Sequence, residues 1–139
     1  MFQRILVPID LTERARKALD LALSLGAPGG SRVTVLHVVE TIRGLDAEEM
    51  KPFYQKLEKK AEGIITAAKD RLPKTSIEVT DAIVYGDPAE EIVGFAKTHS
   101  IDLIVLASHR VDPSASGRDW GTISHKVGIL AQCPVLLVK

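Results

Sequence analysis

Short apolar runs alternate with stretches of helical spacing along the whole chain. Ile5-Leu6-Val7, stopped by Pro8, reads as a buried strand. From Thr12 to Leu25 the residues Ala15, Ala18, Leu19, Ala22 and Leu25 recur every three or four positions, and Gly26, Pro28, Gly29 and Gly30 end that helix. Val33 to Val39 is almost continuously apolar and β-branched, the pattern of a strand buried on both faces. Residues 41–51 are polar and suggest no element. From Met50 onward, Phe53, Leu57, Ala61, Ile64, Ala68 and Leu72 mark a long amphipathic helix. Ile77, Val79, Ala82 and Val84 make a third strand, more polar and therefore expected near a sheet edge. Asp87-Pro88-Ala89-Glu90 is a sharp helix start, with a capping carboxylate, proline at the first helical position and glutamate three residues after the cap. Ile92, Phe95 and Ala96 supply its buried face. Asp102 to Ala107 reads as a fourth strand, Ile123, Val127 and Leu130 as a last short helix, and Pro134 to Val138 as the fifth strand.

Strict alternation of strand and helix predicts a doubly wound α/β fold, a parallel sheet with helices on both faces. The order 3-2-1-4-5 is expected, because it splits the helices between the faces. In such a sheet a ligand binds beyond the carboxyl ends of the strands, where the order reverses, here between strands 1 and 4. Pro8-Ile9-Asp10 and Ala107-Ser108-His109-Arg110 stand at those two ends. The loop after strand 4 enters the last helix at Gly121-Thr122, where helix-terminal N–H groups carry partial positive charge and Gly121 allows close backbone approach. With Arg110 and Arg118 in the same loop, topology points to an anion site, phosphate foremost.

Composition narrows the classes. The 139 residues are expected to form one domain over residues 1–139, with 45% hydrophobic and 26% charged residues, ordinary for a folded core. Eighteen basic residues balance eighteen acidic ones and only 4% are aromatic, which speaks against nucleic acid as partner. Near-zero net charge leaves little repulsion between copies, so self-association is expected. A lone cysteine, Cys133, excludes an internal disulfide framework and a multi-cysteine zinc site. His37, His99, His109 and His125 are not spaced as metal ligands. No apolar run reaches the roughly 20 residues of a membrane helix. Met1-Phe2-Gln3-Arg4 runs directly into the first strand without a signal peptide, so a cytoplasmic location is expected.

A P-loop and a dinucleotide Gly-x-Gly-x-x-Gly fingerprint are absent, and the acidic pair of a phosphoacceptor receiver is missing, since Asp10 stands alone. Val-Pro-Ile-Asp at 7–10, Leu-His-Val-Val at 36–39, Val-Tyr-Gly-Asp-Pro at 84–88, Asp-Leu-Ile-Val-Leu-Ala-Ser-His at 102–109 and Cys-Pro-Val-Leu-Leu-Val at 133–138 resemble the universal stress protein family, in order and over the whole chain. The resemblance implies a cytoplasmic homodimer in a stress response, binding ATP with Mg in its nucleotide-binding members. Those members carry Gly-x2-Gly-x9-Gly-[Ser/Thr] after strand 4. Here Ala107 and Arg110 replace the first two glycines, the spacer is one residue longer, and Gly121-Thr122 fits. Ala-Ser-His-Arg is similar to a subgroup that binds nucleotide without both glycines. By resemblance Pro8, Ile9 and Asp10 border the adenosine, Val38 offers its backbone to adenine, Ala107, Ser108, His109 and Arg110 line the ribose and phosphates, and Gly121, Thr122 and Ile123 hold phosphates through main-chain N–H groups. A guanidinium at 110 suits phosphate through bidentate hydrogen bonds.

Several of these residues have a second reading. Asp10 is placed to cap the first helix, and His109 either polarises a phosphate or bonds its own turn. His37, among apolar strand residues, is expected as a satisfied core histidine. Trp120 either covers a base or anchors its loop on the core. No nucleophilic or acid-base catalyst is evident, because Ser108 and His109, adjacent in sequence, lack a third group. Any ATP hydrolysis should therefore be slow. The sequence reads best as an adenine-nucleotide-binding regulator that pairs through its fifth strand, with nucleotide ordering the 108–122 loop for an unidentified protein partner. A dimeric interaction scaffold without nucleotide is the rival, favoured by the altered glycines.

Overall fold

The apolar runs become the centre of a parallel sheet. In a computed structural model, which describes residues 2–10, 12–72, 76–108, 114 and 122–139, the elements are β1 (Arg4–Pro8), α1 (Arg14–Leu25), β2 (Arg32–Glu40), α2 (Ala47–Asp70), β3 (Glu78–Gly86), α3 (Pro88–Thr98), β4 (Leu103–Ala107), α4 (Ile123–Leu130) and β5 (Val135–Val138). The strands lie in the order β3-β2-β1-β4-β5, and every pairing is parallel. The fold class and strand order read from the sequence are those observed. β1 is central, and Ile5, Leu6 and Val7 have no exposed surface.

Strand alternation sorts the core into two layers. Ile5, Val7, Val33, Val35 and Val105 pack under α1 and α2, while Leu6, Leu36, Ile104 and Leu106 pack under α3 and α4. β3 contributes to both: Val79 and Ile83 face α2, and Ala82 and Val84 face α3. Of the four residues that mark this strand in the sequence, Ile77, just ahead of β3, and Val79 join the α1–α2 layer, and Ala82 and Val84 join the other.

Helix boundaries follow local chemistry. Asp87 caps α3 by accepting from the Glu90 N–H at 3.1 Å, with Pro88 in the first turn. Asp46 likewise caps α2, accepting from the Glu48 N–H at 2.9 Å, so this helix starts inside the polar stretch that suggested no element. Its buried residues are Ala61 and Ile65, whereas Phe53 is 47% exposed. The regular apolar step of α2 therefore meets the core only in its second half. In α4 the buried positions are Ser124 and Val127, and Ile123 and Leu130 are exposed. Gly86 ends β3 at φ +148°, a conformation disfavoured for L side chains, and an added Cβ would lie 2.6 Å from Glu91 Oε1. That turn sets α3 against the carboxyl edge of the sheet. Among the described residues no helix is long and apolar enough to cross a membrane.

Candidate functional site

A cleft of about 560 Å³ opens at the carboxyl edge of the sheet, over the ends of β2, β1 and β4. Its size falls within the roughly 300–1,000 Å³ typical of small-molecule sites. Pro8, Ile9, Asp10, Val38, Ala107, Ser108, Thr122 and Ile123 all border it. His109, Arg110 and Gly121, together with Arg118, Trp120 and most of the 108–122 loop, lie outside the described residues.

Register explains how Val38 reaches the cleft. The paired register of β1 with β2 ends at Pro8 opposite Leu36, and the Ile9 N–H donates to the Leu36 carbonyl at 2.8 Å. Main-chain groups alternate in direction along a strand, so Val38 points its N–H and C=O to the same side as Leu36, where β1 has already ended. Its side chain meanwhile packs in the α3–α4 layer. A main-chain donor and acceptor thus face the crevice side by side.

The exit of β1 is held in place from below. His37 is 8% exposed, and its Nδ1 donates to the Ile9 carbonyl at 2.9 Å, which makes it a satisfied core histidine that also borders the cleft. Asp10 takes a role other than capping. Its Oδ1 accepts from the Thr12 N–H at 2.9 Å and from the Thr12 hydroxyl, an Asx turn ahead of α1. The cap position of α1 is Glu13, which makes no side-chain capping bond.

At the other end of the cleft hydroxyls gather. Ser124 Oγ, on a buried residue, lies 3.0 Å from Thr122 Oγ1 and 3.3 Å from Ser108 Oγ, and Lys139 Nζ donates to Ser108 Oγ at 3.3 Å. This cluster joins the end of β4 to the start of α4. The Ala107 methyl packs against the α1-side core, so alanine in place of the family glycine is absorbed by the layer beneath.

Sequence reasoning missed several residues of this cleft. Arg14, at the start of α1, and Ser124 border it, as do Ile42, Phe53 and Leu57 from the loop after β2 and the first half of α2. Ser124 follows Thr122 by two positions, a signal that was available; nothing local marks Phe53, whose spacing reads as core. Burial pushes the Cys133 thiol above its ordinary value, in keeping with a small apolar group on the α3–α4 side. Among the described residues no three His, Cys, Asp or Glu side chains gather as a metal site.

An open parallel sheet with a ligand-sized crevice where the strand order reverses defines a doubly wound α/β protein. The model of the universal stress protein family matches residues 1–139, and the chain belongs to that family. It is similar to Universal stress protein YxiE of Bacillus subtilis, at 33% identity over the full length of both chains. Among solved structures it resembles that of MJ0577 from Methanocaldococcus jannaschii, with TM-score 0.77 and 29% identity over 100% of this chain and 96% of that one. A universal stress protein solved in complex with cAMP shares the fold, with TM-score 0.71 and 20% identity over 99% and 97% of the two chains.

Proposed function

We propose that this chain is a universal-stress-type regulator that binds an adenine nucleotide, ATP, in the crevice between β1 and β4. The observation that carries the reading is the polarity of the cleft. Its β2 end offers the Val38 backbone among apolar side chains, and its β4 end offers the Ser108, Thr122 and Ser124 hydroxyls beside the start of α4. An amphipathic ligand with a flat base and an anionic tail suits that gradient. In this reading Pro8, Ile9 and Asp10 flank the sugar, Val38 meets the base, and Thr122 and Ile123 hold phosphate with His109, Arg110 and Gly121. Mg would accompany the ATP phosphates. The cAMP-bound relative supports an adenine ligand for this fold. Mass spectrometry of small molecules released when freshly purified protein is denatured is the test. Co-purifying adenine nucleotide is expected, and an empty cleft that also fails to take up added ATP overturns the reading.

The regulator works in the cytoplasm as one domain and as a homodimer in this proposal. β5 is an edge strand, with Leu136 and Leu137 36% and 38% exposed beside the exposed Ile129 and Leu130 of α4. Such an edge invites pairing with a second copy. The same edge, with Ala107 and Arg110 in place of glycines, favours the second reading, a dimeric scaffold that engages a protein partner without nucleotide.

A further inference from the structure

The first half of α2 contributes almost nothing to the core, yet the chain holds it in place over the cleft. A helix of 24 residues is about 36 Å long, and its buried residues, Ala61 and Ile65, lie in the second half. The opening turns are instead tied to the sheet edge. The Thr41 N–H donates to the Gly86 carbonyl at 3.2 Å, and the Ile42 N–H donates to the Tyr54 hydroxyl at 3.1 Å. Tyr54 in turn meets Tyr85 of β3 edge-on, with ring centroids 6.1 Å apart, and Tyr85 donates its hydroxyl to Glu58. These contacts occupy Tyr54 and leave Phe53 beside it on the cleft.

Ile42 and Phe53 are 52% and 47% exposed, and with Leu57 and Val38 they bring apolar surface to one cleft. Both border the cleft, as do Pro88 and Ile92 of α3. Val38, whose main-chain donor and acceptor turn to the crevice, borders the same cleft. Apolar side chains beside a free main-chain donor and acceptor suit a flat, uncharged heteroaromatic ring.

We infer that Phe53, with Ile42, forms the outer wall of the base subsite and holds the purine ring of the bound nucleotide by its face. The inference rests on the nucleotide reading and adds to it a binding role for α2, an element outside the sequence motifs. Base contact of this kind is felt equally by every ligand that carries the base and is indifferent to the phosphates.

Calorimetric titration of wild type, Phe53→Ala and Phe53→Trp with ATP and with adenosine tests it. Because alanine substitution at a base-stacking aromatic typically costs about fivefold or more in affinity, Phe53→Ala is expected to weaken ATP and adenosine by the same factor of that size. Phe53→Trp is expected to restore both. Phe53→Ala should keep the wild-type midpoint in urea, because the side chain is half exposed. An ATP affinity within twofold of wild type, or a loss confined to ATP, overturns the wall while leaving the nucleotide reading intact. If wild type binds neither ligand, the nucleotide reading fails and the wall with it.

Discussion

Replacing His37 with leucine removes the donor that satisfies the Ile9 carbonyl while keeping an apolar side chain of similar bulk. Ile9 and His37 are 7% and 8% exposed, and their hydrogen bond is 2.9 Å long. The variant therefore strands a buried acceptor, which costs about 1–3 kcal/mol. At about 2.1 cal/mol/K per residue, the 139 residues carry an unfolding entropy of about 0.3 kcal/mol/K. A loss of about 2 kcal/mol then lowers Tm by about 7 °C. Urea unfolding followed by far-ultraviolet circular dichroism measures the same loss as a shift in midpoint at constant slope. Because the bond holds the exit of β1 beneath Asp10, the variant is also expected to weaken ATP binding. Stability within about 0.5 kcal/mol of wild type, the range of a neutral surface change, would refute the reasoning by showing that the Ile9 carbonyl does not depend on His37.

Three other outcomes follow from separate features. Gly86→Ala forces an L side chain to φ +148° against Glu91 and should cost about 1–3 kcal/mol in urea; an unchanged midpoint would mean that the turn relaxes freely. The hydrogen bond to Glu58, with partial burial and the charges of Glu58 and Glu62, pushes Tyr85 up to about 12. Its neutral form is thus favoured by folding, so this stability is full below about pH 10 and is lost as pH rises toward 12. Tyr85 is 39% exposed, which holds the effect below about 1 kcal/mol, and Tyr85→Phe should flatten that alkaline decline in paired urea titrations. Leu137→Pro removes an N–H on the free side of β5, since the Pro134 and Val138 carbonyls accept from β4 and its exit, and should turn a dimer in light scattering into a monomer; a monomeric wild type at tens of micromolar would remove the edge-pairing proposal.

The fold was legible because β1, β4 and β5 carry unbroken apolar runs and β2 nearly so, and because Asp87-Pro88-Ala89-Glu90 spells a helix start. The entry into α2 was not, since residues 47–57 bury no continuous face and Pro52 sits inside the helix, so periodicity there carries little information. The second reading of Asp10, as a helix cap, failed for a related reason. Capping and Asx-turn aspartates precede a helix in the same way, and the extra residues before Arg14 decide between them. Part of the cleft was readable from topology, because strand ends at a switch point converge whatever their side chains. Phe53 was not, because its spacing fits a core face and only the overhang of α2 beyond the core gives it to the cleft. The way the Val38 main chain faces the cleft required register, which depends on where β1 stops relative to β2.

The most direct test of the central claim is calorimetric titration of the wild-type chain with ATP and Mg, joined to a thermal melt of the same samples. Saturable binding at one site per chain, with a melting temperature that climbs with ATP concentration, is the predicted result. No heat and no thermal shift at millimolar ATP would contradict the account and promote the scaffold in its place.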